Sequence, residues 1–472
     1  MIENRRKWWI LTVAAAGVLL STVDASIVNI ALPTISEYFK ASVQTTAWVT
    51  ISYLLVITTV LLIFGRLSDI YGQKLVFGGG LLIFTIGSAL CAFSANITKL
   101  VVFRLIQGIG AAMIVSNTSA IVTNAFPGEQ RGMALGTIGA VVSIGLMSGP
   151  PLGGLIIHYL GWHYIFLVNV PIGVMALILT ARVLPELKAD SSTRLFHPLD
   201  SLLWIVGITL LVLAFRGVGN MASVLLSFTA CFSICIIVLA VFFKRQSTAD
   251  SPLLKISFLK NDIFLFASIA GFFSYMAMIA LTFMLPFLLE NSYGKTPFDT
   301  GKILVVIPAT TVFISPISGF LSDKLGQRPV ASVGSLISTL AIASMFFAAP
   351  EYSSWGIIAS LIVFGVGLGM FGSPNNSALM GSVDYKDRGA AGGILATVRN
   401  LGMVSGLGII SVIYNSGITR VSASPADAYF LAFKKALPIV AGFSFMALVF
   451  SALRKSVREA ASEPDAKVAR IE

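Results

Sequence analysis

Apolar residues in this chain come in blocks of about 20, set apart by short polar stretches, which is the length that crosses a hydrocarbon core about 30 Å thick at about 1.5 Å per residue. The blocks predict fourteen membrane-spanning helices, at 8–31, 46–65, 75–95, 100–125, 133–158, 163–183, 199–218, 222–243, 263–289, 300–319, 330–349, 354–380, 389–415 and 436–453. The longest stretches left outside the membrane, 184–198 and 244–262, are too short to fold as domains. The pattern predicts an all-α polytopic membrane protein with no soluble catalytic module, and hence not an enzyme.

A few positions break the apolar pattern inside the blocks. Gly145-Leu-Met-Ser-Gly149-Pro150-Pro151-Leu-Gly153-Gly154 puts four glycines and two prolines in the fifth predicted span. In a soluble helix Gly costs about 1 kcal/mol and Pro about 3 kcal/mol relative to Ala. In a bilayer the same residues allow backbones to approach closely and build in a kink. The run predicts a helix that packs tightly and moves against its neighbours.

Asp24 lies about two-thirds of the way across the first span, where an acid costs about 2.5–3.5 kcal/mol on insertion. It reads either as a proton-exchange site or as an acid held neutralised by Arg104 or a polar neighbour. Arg104 keeps its proton, so it is a fixed cation in the bundle, either Asp24's coupling partner or a structural link to backbone carbonyls. Gln107 lies one turn on and shares its face. Arg399 either lines a cavity or satisfies carbonyls, and Glu290, after Pro286, sits at an outer mouth or is an interfacial charge. Asn29, Ser116, Asn117 and Tyr275 are the other candidate cavity residues. Trp48, Tyr53 and Tyr275 read as ligand-stacking rings or as interface anchors.

Composition sharpens this picture. The chain is 56% hydrophobic and 11% charged, where a soluble domain carries about 25% charged residues. Its net charge of +11 does not mark a nucleic-acid binder. With both termini cytoplasmic, about 22 of the Lys and Arg residues fall on the cytoplasmic side and about 8 outside, as the positive-inside rule requires. Arg5-Arg6-Lys7, Lys244-Arg245 and Arg454-Lys455 sit at span edges. The basic start and apolar run of the N-terminus imitate a signal peptide, but Asp24 interrupts the run and no small-x-small cleavage site follows, so the first helix is expected to be retained. Cys91, Cys231 and Cys235 fall within spans and read as packing residues; His158 and His163 flank a tight outer turn and His197 lies in a linker, so no metal or cofactor is expected.

The chain also repeats itself. Gly65-Arg-Leu67-Ser68-Asp69-Ile-Tyr-Gly72-Gln73-Lys74 recurs 254 positions later as Gly319-Phe-Leu321-Ser322-Asp323-Lys-Leu-Gly326-Gln327-Arg328. Arg131-Gly132-x-Ala134-x-Gly136 recurs 257 positions later as Arg388-Gly389-x-Ala391-x-Gly393, and Ser148-Gly149 as Ser405-Gly406. Two six-helix halves with an insertion between them are expected: 1–185, a linker with two inserted helices at 186–262, 263–455, and a cytoplasmic tail at 456–472. Parallel six-helix repeats are a transporter architecture.

The motifs carry a family resemblance. The chain resembles the major facilitator superfamily and, within it, the fourteen-helix branch of drug:proton antiporters. Residues 65–74 resemble the loop motif between helices 2 and 3, with Gln73 in place of a usual base. Phe103-Arg104-Leu-Ile-Gln107-Gly108-Ile-Gly110 resembles the helix 4 motif, and 145–154 the helix 5 antiporter motif. Asp24-Ala-Ser-Ile-Val-Asn29-Ile-Ala-Leu-Pro33 resembles the helix 1 signature of the branch, and Ile165-Phe-Leu-Val-Asn169-Val-Pro171-Ile-Gly173 adds a further match. The resemblance implies a major facilitator fold and proton coupling through Arg104 with Asp24. It also implies a conformational latch from Gly65, Asp69, Gly72 and Lys74, with Asp323 and Arg328 as counterparts, and an antiporter motif in Gly145, Gly149, Pro150, Gly153 and Gly154. The polar Ser116 and Asn117 depart from the apolar residues and proline usual there.

The expected function is proton-coupled export of lipophilic, cationic drugs or toxic compounds by alternating access. The expected setting is a monomer in the bacterial inner membrane, with the substrate, protons and the bilayer as its partners. Transport of an endogenous metabolite or lipid is the alternative, and a non-transporting receptor a further one. No Walker-type loop points to an ATP-driven pump.

Overall fold

The computed structural model describes residues 2–186, 197–214, 221–249, 252–254, 256–348, 354–384, 388–419 and 424–455. Among them only helices form regular structure: α1 Ile2–Tyr38, α2 Val43–Tyr71, α3 Gln73–Ala92, α4 Ile97–Ala125, α5 Gly128–Leu160, α6 Tyr164–Leu167, α7 Asn169–Val183, α8 Pro198–Ala214 and α9 Met221–Gln246. A short 3₁₀ turn follows, then α10 Asp262–Asn291, α11 Pro297–Leu304, α12 Val306–Leu325, α13 Gln327–Ala348, α14 Ser354–Gly381, α15 Arg388–Thr419 and α16 Pro425–Leu453. Among the described residues thirteen helical segments are long and apolar enough to span a membrane, and α8 is a shorter apolar helix. The predicted tail at 456–472 lies outside the described residues.

Helix ends follow local chemistry. Ser42, Asn96 and Thr296 cap α2, α4 and α11 by accepting from Thr45 N, Lys99 N and Asp299 N at 3.1, 2.8 and 3.1 Å, each satisfying an otherwise orphaned amide. The predicted loop at 65–74 proves mostly helical: α2 runs on to Tyr71, and the break is Gly72, with φ +94°. Gly326 repeats it at φ +95°. Ser68 and Ser322 each donate back to the glycine three residues earlier, at 2.7 and 2.8 Å. A Cβ on Gly65 would meet nothing within 4 Å, so close packing does not account for glycine there.

By contacts the chain forms two compact units. Unit 1 is Met1–Leu253 with Thr282–Val305 and Leu407–Phe433; unit 2 is Leu254–Leu281, Val306–Gly406 and Lys434–Glu472. In unit 1, glycine brings α3 and α4 together: a Cβ on Gly110 would run into Phe84 N and Gly80 O. In unit 2, Gly367 meets Ser338 and Gly334 in the same way, at positions 257 and 254 residues on.

Helices α8 and α9 pack on each other, and α8 also packs on α2. Buried Asp200 accepts from Arg245 Nε at 2.6 Å and Gln246 Nε2 at 3.1 Å, and the Cys235 thiol donates to Gly207 O at 3.3 Å. In unit 2, Arg454 is buried with Asn375 Oδ1 as acceptor at 3.1 Å. Burial and the nearby charge of Arg328 pull its pKa down to about 10.

Overpacking of a closed helix contact costs about 1–3 kcal/mol. Gly110→Val is expected to lower the thermal midpoint of detergent-purified protein, whereas Gly136→Ala, whose Cβ would enter open space, is expected to leave it unchanged or slightly raised. Equal midpoints for the two variants would show that the α3–α4 contact does not limit stability.

Candidate functional site

Asp24 is buried within unit 1 with no exposed surface. Its carboxylate is clamped by three donors. Arg104 Nη1 donates to Oδ2 at 2.6 Å, while Gln107 Nε2 and Asn169 Nδ2 donate to Oδ1 at 2.8 and 2.9 Å. Charge-assisted bonds of this kind are short and about twice as strong as neutral ones. The ion pair excludes solvent completely, since both side chains are 0% exposed.

The second layer fixes the donors. Arg104 Nη1 also donates to Gln107 Oε1 at 2.6 Å and Arg104 Nε to Val49 O at 3.1 Å. The guanidinium lies over the Tyr53 ring, 4.0 Å from its centroid, and Tyr53 Oη donates to Ser21 O at 3.3 Å. Gln107 Nε2 donates to Ser88 Oγ at 2.8 Å, and the Cys91 thiol approaches Gln107 Oε1 at 3.8 Å. Five helices therefore meet in one network around the ion pair: α1 brings Asp24, α2 Val49 and Tyr53, α3 Ser88 and Cys91, α4 Arg104 and Gln107, and α7 Asn169. Only Arg104 Nη2 is left buried without an acceptor in this group.

Several expectations change here. Gln107, expected on a cavity wall, is wholly buried in the Asp24 network. Tyr53, read as a ligand-stacking ring or an interface anchor, is 1% exposed and lies under Arg104. Asn169 was visible only as part of a motif, and Ser88 carried no signal beyond being a serine in an apolar span. Their part depends on helix neighbours distant in sequence.

The Gly145–Gly154 run lies against the helix that carries Asp24. A Cβ on Gly145 would strike Thr22, one on Gly149 would strike Ser26, and one on Gly153 would strike Ile27. Ser26 Oγ donates across to Gly145 O at 3.2 Å. On its other side α5 meets α11: Gly154 faces the Pro297 carbonyl and Gly301 the Pro150 carbonyl. α5 is continuous through Pro150 and Pro151, and its contacts with α1 and α11 leave no room for side chains at these glycines.

The remaining predicted residues sit apart from Asp24's carboxylate. Asn29, half-buried, accepts from Thr50 Oγ1 at 3.3 Å. Asn117 is buried and donates to Met113 O at 2.7 Å with Oδ1 unpartnered, and Ser116 donates to the same carbonyl at 3.3 Å. Tyr275 is half-buried on α10. Arg399 is half-buried on α15 with Nε buried and without an acceptor. Lys74 pairs with exposed Glu186 at 3.4 Å, and Asp69 and Asp323 are exposed at the ends of α2 and α12. Arg328, half-buried at the start of α13, adds its charge to that of Arg454. Among the described residues no group of His, Cys, Asp and Glu could hold a metal ion.

A family model described as Major Facilitator Superfamily matches residues 14–407. The chain belongs to the major facilitator superfamily. It is therefore a multi-pass membrane transporter, of a family that transports rather than catalyses. Superfamily relatives extend along most of its length. It is 36% identical to the riboflavin transporter RibZ of Clostridioides difficile over 95% of this chain and 97% of that one. It is 28% identical to the multidrug transporter protein MdtP of Bacillus subtilis, over 88% of this chain and 76% of that one. The crystal structure of a bacterial homologue of the human lysosomal transporter Spinster, inward-facing and unoccupied, matches with a TM-score of 0.68 at 15% identity. That match covers 95% of this chain and 96% of the other, and shows the shared superfamily fold.

Breaking a buried ion pair from one side costs about 3–5 kcal/mol, because the other charge is left unpaired. Arg104→Leu is expected to lower the thermal midpoint markedly, and adding Asp24→Asn to it to restore most of the loss. A double variant no more stable than Arg104→Leu would show that the pair is not the source of the effect.

Proposed function

We propose that this transporter is a proton-coupled exporter working by alternating access, with Asp24 as the proton-exchange site and Arg104 as its coupling partner. The observation that carries the reading is the complete enclosure of the Asp24 carboxylate by donors from α4 and α7, on a helix held against the glycines of α5. Protonating Asp24 cancels the charge that those donors converge on, which loosens the contacts that join five helices. The same change is felt by α5 through Thr22 and Ser26, and by α11 through Pro150 and Gly154. A proton thereby alters helix packing without touching the cargo.

This arrangement bears on the cargo. Neither Asp24 oxygen is open to a cation in this structure, so direct competition between a proton and a cationic drug for one carboxylate loses its support. Lipophilic drugs and toxic compounds stay the favoured cargo on the likeness to the multidrug transporter. A second reading, movement of a vitamin-sized metabolite such as riboflavin, draws on the 36% identity to the riboflavin transporter. In this proposal the chain works as a monomer in the bacterial inner membrane with both termini cytoplasmic. Residues 1–185 and 263–455 form its two six-helix halves, 186–262 the insertion, and Asp69 and Asp323 act as latches at the helix ends.

Proteoliposomes holding a pH-sensitive dye test the coupling. Substrate addition is expected to drive proton movement with the native chain and to lose it with Asp24→Asn, while substrate binding persists. Native-level coupling in Asp24→Asn would remove Asp24 from its role.

A further inference from the structure

Charges within the described membrane spans are paired unevenly. In unit 1 Asp24 and Arg104 neutralise each other, whereas Glu290, near the end of α10, has a buried oxygen without a hydrogen-bond partner. In the spans of unit 2, among the described residues, acids stand only at helix ends: Asp262 opens α10 and pairs with Lys455 at 3.6 Å, and Asp323 lies in the last turn of α12. Arg399 is different. It lies on α15 roughly three turns, or about 16 Å, in from Arg388. Its Nε is buried with no acceptor, and among the described residues it forms no ion pair.

The internal repeat shows that this cation is particular to its own half. Glycines that hold α5 to α1 recur: Gly402 and Gly406 stand 257 positions after Gly145 and Gly149, and pack on the Phe272 and Met276 carbonyls of α10. The position matching Arg399 is Val142, while those matching Asp24 and Arg104 are Ser274 (250 positions on, as Phe272 is from Thr22) and Leu361. The packing frame was kept in both halves, and the charges were placed separately.

A guanidinium does not give up its proton in a protein, and charged side chains inside spans almost always face the bundle interior or a water-filled cavity. Gly402, three residues on, holds α15 against the α10 backbone, so the arginine stands on a rigid support. Its planar fork of donors matches an oxyanion in two-point contact. We propose that Arg399 is a substrate-binding residue and that the cargo is an amphipathic organic anion, its carboxylate or equivalent oxyanion seated on the guanidinium. The proposal rests on the transport reading above only in requiring that a small molecule be bound and moved, and it does not depend on proton coupling.

Fluorescein, an anionic xanthene, and tetramethylrosamine, a cationic one, are matched probes. Their binding to the full chain in nanodiscs is followed by fluorescence anisotropy near neutral pH. Fluorescein is expected to bind, Arg399→Gln to weaken it by about tenfold or more, as loss of a hydrogen bond to a charged group does, and the cationic dye not to weaken. Arg399→Lys, which keeps the charge without the fork, is expected to fall between, and it carries the comparison if Arg399→Gln does not purify as a monodisperse protein. A preference for tetramethylrosamine, fluorescein binding indifferent to Arg399, or binding of neither dye would each overturn the proposal. Fluorescein transport that needs Arg399 yet persists after the proton gradient is collapsed would support the anion site while removing the proton-coupled reading.

Discussion

Unit 1 is organised around one buried ion pair. A carboxylate and a guanidinium with no solvent contact are each costly to bury, and the pair is tolerable only when geometry and further hydrogen bonds satisfy both. Here the demand is met by residues from five helices, so the pair dictates where those helices stand. Asp24 needs Gln107 and Asn169 as well as Arg104, and Arg104 needs Val49 and the Tyr53 ring. Buried polar networks of this kind specify one packing, because every slipped alternative leaves a charge or an amide unpaired.

The glycines of α5 give that network its reach. Helices in lipid gain little from apolar burial against one another and associate through close van der Waals contact at small residues. Gly145, Gly149 and Gly153 bring α5 onto the Thr22–Ile27 stretch of α1, within which Asp24 lies, and Gly154 and Gly301 bring α5 onto α11. A change at the carboxylate therefore meets a contact without slack, and packed contacts of this kind respond by shifting as units rather than by deforming.

Much of this is legible in the residue pattern. Block length revealed the spans, because the bilayer imposes one dimension on all of them. Asp24 and Arg104 stood out because a charge in an apolar block has no inexpensive explanation. What the sequence left dark was the company they keep. Gln107 and Tyr53 stand out in the pattern without their partners, since helical periodicity tells which residues share a face but not which neighbour that face meets. Ser88 and Cys91 are ordinary residues in apolar spans, and only the crossing of α3 with α4 brings them to the site. The loop motif is more helical than its residues suggest, because a charged, glycine-bearing stretch resembles a connection, whereas within it and its repeat only Gly72 and Gly326 leave helical geometry.

The duplicated glycine contacts have a consequence for how such a molecule changes over time. Gly145 with Gly149, and Gly402 with Gly406, hold equivalent helix pairs in two copies of one frame, while the polar groups mounted on the frame differ between the copies. Inheritance has thus separated scaffold from chemistry. One copy can alter what it recognises while the other retains its ionisable centre, so lineages with unlike cargo can descend from a common ancestor without rebuilding the helices that carry them.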